Sequence, residues 1–144
     1  MSDVIKPFKI HVIDEDLADL KRRLHATRWP EDEPVEDWSQ GTPSAWIRDI
    51  CDYWANEYDW RAREALLNRF DQFTTTIDGL EFHFIHQRSP HASARPLLIT
   101  HGWPGSVVEF HKVIEPLVDP VAHGGNAEDA FHVICPTLPG FGFS

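Results

Sequence analysis

The sequence of 144 residues is short of basic side chains and contains no long apolar run. Its 13 Lys and Arg residues stand against 23 Asp and Glu residues, which gives a formal net charge of -10. Because nucleic acids and anionic membrane surfaces are bound by clustered Lys and Arg, neither is an expected partner. No run reaches the roughly 20 apolar residues of a membrane-spanning helix, and residues 1–7 lack the apolar stretch of a signal peptide.

Only two cysteines occur, Cys51 on a predicted helix and Cys135 at the end of a predicted strand. This pattern favours two buried thiols over a disulfide and requires no oxidising compartment, so a cytoplasmic location is expected. The nine histidines lack metal-ligand spacing, since His83 and His86 point to opposite faces of one strand. The sequence also lacks a Gly-x-Ser-x-Gly elbow and a phosphate-binding glycine loop, so no metal or cofactor is expected.

The first half of the chain has the apolar periodicity of helices. Four residues recur at helical spacing in a first predicted helix that Asp14 caps and Trp29-Pro30 ends: Ile13, Leu17, Leu20 and Leu24. Thr42-Pro43 predicts the start of a second helix and Asp59 the start of a third. Residues 31–37 form an acidic loop that we expect to be a solvated surface segment. The five tryptophans between positions 29 and 60 are expected to be packing anchors rather than a ligand groove.

From Phe73 onward the pattern changes to strands. Residues 73–77 are rich in β-branched side chains, Asp78-Gly79 predicts a hairpin turn, and residues 80–85 alternate with the period of a half-buried strand. Residues 97–99 do not alternate, so they are expected to be buried on both faces of a parallel sheet, and residues 131–135 predict a last strand. The fold class is therefore α/β, with a helical segment at 1–72 and the start of an α/β core at 73–144.

A glycine- and proline-rich turn, His-Gly-Trp-Pro-Gly-Ser at residues 101–106, follows the apolar strand. Ser106 and Glu109 have the spacing of a capping box, which predicts a single helix from Ser106 with an apolar side through Leu117. Backbone N–H groups in such a turn, near a helix start, suit an oxyanion hole. The residues by themselves leave open that this is a structural turn without chemistry.

Two motifs together carry a resemblance to a known family: the 101–106 turn and residues 136–144, Pro-Thr-Leu-Pro-Gly-Phe-Gly-Phe-Ser. With them the chain resembles the epoxide hydrolases of the microsomal and juvenile-hormone type. The resemblance extends upstream to five short segments: 27–30, 38–41, 53–54, 58–60 and 73–75. It covers nearly the whole chain and implies the N-terminal half of an α/β-hydrolase fold.

The resemblance also implies a chemistry. In this family an aspartate opens the epoxide as a covalent ester, two cap tyrosines hold the epoxide oxygen, and a histidine paired with an acid activates water to cleave the ester. One oxyanion donor corresponds to the backbone N–H of Trp103, and His101, Gly102 and Pro104 are expected to line the substrate pocket. In the family order the nucleophile, cap tyrosines, acid and base all follow the oxyanion turn, and none of them has a counterpart here. Tyr53 and Tyr58 precede the sheet and do not correspond to the cap tyrosines. The chain alone is therefore predicted to be inactive.

The missing neighbour strand has a structural consequence. In this fold the strand before the oxyanion turn lies beside the strand that carries the nucleophile, so residues 97–99 would present an open apolar edge. We expect the chain to be unstable alone, to self-associate, or to complement the missing C-terminal half. It also shows no membrane anchor of the microsomal type, which suggests a soluble relative. Two alternatives stay open: a non-catalytic association module, and part of a serine hydrolase of the same fold.

Overall fold

The structure is a computed structural model that describes residues 4–144. The chain packs into two compact units. A sheet unit consists of the chain up to Ile10 together with Glu64–Ser144, and a helical unit consists of His11–Arg63. The helical unit is thus inserted in sequence between two parts of the sheet unit. The boundary between residues 72 and 73 drawn from the sequence stays a prediction about domains.

The sheet unit contains five strands in the order β1-β2-β3-β5-β4. The strands are β1 (Lys6–Phe8), β2 (Gln72–Ile77), β3 (Leu80–Gln87), β4 (Arg95–Leu98) and β5 (Phe131–Pro136). The pair β4 and β5 is parallel and the other pairs are antiparallel. Strands β2 to β5 confirm the prediction from sequence. The three-residue β1 was not predicted, because so short a segment shows no periodicity.

The hairpin between β2 and β3 turns at Asp78-Gly79, as predicted. Ile77 pairs with Leu80, and both turn residues have positive φ, 51° for Asp78 and 83° for Gly79. This left-handed backbone matches the twist of the flanking strands. On β3 the buried side chains are His83 and Ile85.

Strand β4 differs from the prediction for residues 97–99. We expected burial on both faces, but the side chain of Leu98 is 62% exposed. Leu97 and Ile99 on either side of it are half-buried, so one face of the strand is partly covered and the other is open. Strand β4 also lies at the edge of the sheet, where β5 is its only partner among the described residues. The expected open apolar edge is therefore present in the described part of the chain.

The single helix predicted from Ser106 to Leu117 is wrong. A 3₁₀ turn occupies Val107–Phe110, and a separate short helix, α4, runs from Ile114 to Val118. Pro116 explains the break, because proline has no N–H and its ring would clash with the carbonyl four residues earlier in a continuous helix. A proline is tolerated in the first turn of a helix, which is where α4 places it.

The core of the sheet unit lies between the sheet and the segment 107–118. Its buried apolar side chains are Phe70, Ile85, Val107, Ile114, Val118, Val133 and Cys135. Burial raises the pKa of the Cys135 thiol to about 11, so this side chain is an inert core residue. Both cysteines are free thiols, and Cys51 is only half-buried.

The helical unit contains α1 (Asp14–His25), α2 (Ser44–Asn56) and the first half of α3 (Trp60–Leu67). Asp14 does not cap α1: Ile13 occupies the cap position, and the Asp14 carboxylate pairs with Arg61 instead. Asp59 caps α3 as predicted, since its carboxylate accepts a hydrogen bond from Ala62 N at 3.0 Å.

Helix α2 is capped from a distance. Thr42 does not act as the cap; the Glu33 carboxylate accepts hydrogen bonds from Ser44 N at 3.0 Å and from Ser44 Oγ at 2.6 Å. These bonds hold the pKa of Glu33 below its ordinary value. In the same loop, Asp32 accepts a hydrogen bond from Arg48 at 3.0 Å. Residues 31–37 are exposed or half-buried, as expected of a surface segment, but the sequence did not indicate that these two carboxylates make defined hydrogen bonds.

The Asn68 side chain bonds to the backbone of Ile10, the residue at which the chain leaves the sheet unit; the chain re-enters that unit at Glu64, shortly before Asn68. Asn68 Oδ1 accepts a hydrogen bond from Ile10 N at 2.9 Å, and Asn68 Nδ2 donates to Ile10 O at 2.8 Å. Both backbone groups of Ile10 are thereby satisfied, which fits its 2% exposure. This pair of bonds is called the Asn68 clasp below.

Candidate functional site

The 101–106 turn follows β4 and is closed by a short backbone hydrogen bond. Gly105 N donates to Gly102 O at 2.6 Å, and the peptide between Trp103 and Pro104 is cis. Ser106 and Glu109 form the predicted capping box, with Ser106 N donating to Glu109 Oε1 at 3.1 Å. Gly105 is required here, because a Cβ at this position would lie 2.9 Å from Gly102 O.

The tip of this turn is open. The Trp103 side chain is 84% exposed, and Gly102 and Pro104 are exposed as well. Within residues 4–144 no acceptor takes a hydrogen bond from the Trp103 N–H. The turn thus presents a backbone donor that the described chain does not use. An oxyanion hole requires a donor of this kind. The sequence also predicted that the N-terminus of a helix would add partial positive charge here, but only a four-residue 3₁₀ turn follows, which does not support that contribution.

His101 lies beneath the turn and joins it to the 136–144 segment. Its side chain is 4% exposed, and its Nε2 accepts a hydrogen bond from Leu138 N at 3.1 Å. The Phe141 ring packs edge-on against the imidazole, with 5.5 Å between ring centroids. The two sequence motifs that carry the family resemblance therefore meet at this side chain.

A second buried histidine, His83, also contacts the 136–144 segment. His83 Nδ1 lies 2.7 Å from Thr137 Oγ1, and His83 Nε2 lies 2.9 Å from Gln72 Oε1. Gln72 Nε2 donates to Leu67 O at 3.0 Å, which fixes the orientation of its amide. His83 Nε2 is therefore the protonated nitrogen and Thr137 donates to Nδ1. Burial lowers the pKa of His83 to about 4, so the ring is neutral near pH 7.

A large cavity lies elsewhere, in the helical unit. This groove of about 1020 Å³ is lined by apolar and aromatic side chains of α1 and α2, such as Leu17, Tyr53 and Trp54. No cluster of potential metal ligands occurs among residues 4–144. In the same range, no helix has both the length and the apolar character needed to cross a bilayer.

Comparison with solved structures identifies the class of fold. The chain superimposes on the juvenile hormone epoxide hydrolase of the silkworm Bombyx mori with a TM-score of 0.84 and 35% identity, covering 99% of this chain and 38% of that one. For the Aspergillus niger epoxide hydrolase the TM-score is 0.81 at 36% identity, covering 97% and 36%. The sheet and its turn are thus the N-terminal part of an α/β-hydrolase fold.

The family follows from sequence. Residues 5–110 match the family model described as "Epoxide hydrolase N terminus", and the chain belongs to the epoxide hydrolase family. A Stigmatella aurantiaca protein with the assigned name epoxide hydrolase is 64% identical over 140 residues, covering 97% of this chain and 32% of the relative. Epoxide hydrolase 1 of Sus scrofa is 43% identical, with 97% and 32% covered. The chain therefore spans about a third of the length of the curated relatives it matches.

The family and fold predictions are confirmed. The role of the Trp103 N–H, and of His101, Gly102 and Pro104 in a substrate pocket, stay predictions. The sequence did not indicate that Leu138 and Phe141 contact His101, because a hydrogen bond between residues 37 positions apart leaves no local pattern. In the sequence, only the fact that the 101–106 and 136–144 motifs occur together in one family suggested that the two segments lie close to each other.

Proposed function

We propose that this chain supplies the oxyanion turn of an epoxide hydrolase that converts an epoxide to a diol through an aspartyl ester. The observation that carries the proposal is the unused Trp103 N–H on an exposed, hydrogen-bonded turn. The matches to epoxide hydrolases over nearly the whole chain support the reaction class. They also favour it over a serine hydrolase of the same fold.

In the first step of this reaction a carboxylate attacks an epoxide carbon, the C–O bond breaks, and an ester forms. The nucleophile, the tyrosines that protonate the epoxide oxygen, the acid and the base are expected outside this chain. In the second step, water attacks the ester carbonyl and negative charge develops on its oxygen. The Trp103 N–H would donate a hydrogen bond to that oxygen, so this chain acts on the second step.

The proposed substrate class is small-molecule epoxides. The relatives include epoxide hydrolases from mammals and juvenile hormone epoxide hydrolases from insects, so the class is broad. The cytoplasmic location expected from the sequence stays a prediction.

The proposal is tested with a chimera in which this chain replaces the matching N-terminal third of the Stigmatella aurantiaca relative. We expect the chimera to form diol from a simple aryl epoxide and the isolated chain to form none above buffer. The unmodified relative is the reference. A folded but inactive chimera beside an active reference would contradict the proposal, as would diol formation by the isolated chain.

The role of the turn is tested in the same chimera by Trp103→Pro, which removes the N–H, and Trp103→Ala, which keeps it. Loss of one oxyanion donor costs on the order of 3 kcal/mol in the barrier. In single-turnover kinetics, Trp103→Pro should slow ester hydrolysis and leave ester formation nearly unchanged, whereas Trp103→Ala should slow it little. A folded Trp103→Pro variant with the original rate of ester hydrolysis would show that Trp103 is not a donor.

A further inference from the structure

We propose that His101 is a positioning residue that sets the direction of the Trp103 N–H by donating a hydrogen bond to the Gly102 carbonyl. The inference rests on the proposed function and gives His101, which is 4% exposed, a role that it exerts through the peptide between Gly102 and Trp103, beyond the pocket-lining position expected from the sequence. It is carried by three observations: the tautomer of His101, the geometry of the peptide between Gly102 and Trp103, and the packing of the ring.

The hydrogen bonds of His101 determine its tautomer. Nε2 accepts from Leu138 N at 3.1 Å, and a backbone N–H can only donate. In the neutral ring the proton therefore sits on Nδ1. Nδ1 lies 3.4 Å from Gly102 O, so the imidazole donates a long hydrogen bond to that carbonyl.

The Gly102 carbonyl and the Trp103 N–H belong to the same peptide group. This peptide is trans, since the only cis peptide in the described residues follows Trp103. A trans peptide is planar and its C=O and N–H point in opposite directions. Two donors, His101 Nδ1 at 3.4 Å and Gly105 N at 2.6 Å, hold the carbonyl on the inner side of the turn. The N–H is thereby turned away from them.

The His101 ring is itself held in a fixed position. It is almost fully buried, Leu138 N anchors one end, and the Phe141 ring packs edge-on against it. Gly102, in contrast, has no side chain and has open space around the position of a Cβ, so this residue contributes no side-chain packing of its own to hold the peptide. Without the Nδ1 donor, Gly105 N would be the one donor left on the Gly102 carbonyl among the described residues, and the direction of the Trp103 N–H would be less tightly fixed.

Three substitutions separate the two hydrogen bonds of the ring. His101→Asn places an amide donor near the Nδ1 position, His101→Gln places an oxygen acceptor near the Nε2 position, and His101→Phe keeps the ring and removes both bonds. In the chimera we expect Phe and Gln to slow ester hydrolysis roughly tenfold or more, as for partial loss of an oxyanion donor. Ester formation should be unchanged, and Asn should restore most of the rate.

A role in stability alone would slow ester formation and ester hydrolysis equally, and that result would overturn the inference. So would a Gln variant as fast as the unmodified chimera, because it lacks the donor to Gly102. An effect of Trp103→Pro without any effect of His101→Phe or His101→Gln would overturn this inference and leave the proposed function standing. If Trp103→Pro has no effect, the proposed function itself fails.

A spectroscopic measurement tests the tautomer of His101 without relying on reaction rates. ¹⁵N shifts of the imidazole nitrogens in the unmodified chimera should show a protonated Nδ1 and an unprotonated Nε2 for His101. His101→Phe identifies the signals by removing them. The opposite tautomer would contradict the inference directly, because Nδ1 would then have no proton to donate to Gly102 O.

Discussion

The two units of this chain bury their apolar residues to very different extents. In the sheet unit, Ile85, Ile114 and Val133 are at most 1% exposed. In the helical unit, spanning His11–Arg63, Ala55 is the only buried residue, and the aromatic side chains of α2 are nearly half exposed. A large open apolar surface of this kind is typical of one that packs against further polypeptide. The sheet unit has its own core, whereas the ion pairs of the helical unit lie at its exposed surface, where such pairs contribute little to stability.

A matched pair of isoleucines tests this difference most directly. Ile85 is 1% exposed in the sheet unit and Ile50 is 39% exposed in the helical unit. Replacing a buried isoleucine by alanine costs transfer free energy plus a cavity, so Ile85→Ala should lower the free energy of unfolding by about 3 kcal/mol and Ile50→Ala by about 1 kcal/mol. Urea titration followed by circular dichroism measures both. Equal losses would contradict the comparison.

Acid should weaken the sheet unit through His83. Its pKa is lowered from 6.5 to about 4 in the folded chain, so the folded state favours the neutral ring. The stabilisation is therefore complete above about pH 6.5 and is lost as the pH falls towards 4, by no more than about 3 kcal/mol. His83→Gln should flatten the dependence of unfolding free energy on pH in this window. A curve for His83→Gln that is as steep as that of the unmodified chain would contradict the assignment.

A smaller effect is expected at the two glycines of the turn. An added Cβ at Gly105 would meet Glu109 Oε1 at 1.6 Å, whereas one at Gly102 would meet nothing within 4 Å. Gly105→Ala must displace the Glu109 side chain and break the capping box, at a cost of about 1 kcal/mol. Gly102→Ala should stay within about 0.5 kcal/mol. Melting temperatures compare the two, and a larger loss for Gly102→Ala would contradict the close approach at Gly105.

The smallest effect on stability, but a visible one on association, is expected at the open edge of β4. Leu98 is 62% exposed at this edge, and Leu80 is 55% exposed at the start of the paired strand β3. We expect the isolated chain to self-associate through β4, and Leu98→Lys to reduce this association while Leu80→Lys does not. Chromatography with light scattering across concentration gives the result. A monodisperse monomer at high concentration would show that the edge is closed in another way.

Much of the fold could be predicted because its signals are local. The Asp78-Gly79 turn and the Asp59 cap depend on residues within a few positions of each other, and both are confirmed. The break before Ile114 is also encoded locally, in Pro116, although the apolar periodicity through Leu117 favours one continuous helix. The prediction that residues 97–99 are buried failed for another reason. An unbroken apolar run is typical of a strand covered on both faces, but in the described chain one face and one edge of β4 stay uncovered.

The candidate site could be predicted only in part. The position of the turn follows from its glycines and from the capping box at Ser106. Its attachment to Leu138 through His101 depends on strand order, since β4 and β5 lie side by side and bring the ends of the two strands together. The cap of α2 by Glu33 was missed for a related reason: an acidic loop gives no indication of which carboxylate will meet a distant backbone N–H.

The Asn68 clasp has a consequence for the order in which the chain folds. Strand β1 pairs with β2 in a register that joins Lys6 to Thr74, so the first strand must wait for a partner synthesised much later. Closing a long loop costs entropy that rises only slowly with its length, but pairing of distant segments slows folding. The clasp holds Ile10 next to Asn68 and so brings the two ends of the His11–Arg63 insertion together. A change in the length of the insertion should therefore add little to the entropy lost when β1 pairs with β2. An insertion fastened at its base in this way could be exchanged or lengthened while the sheet still forms.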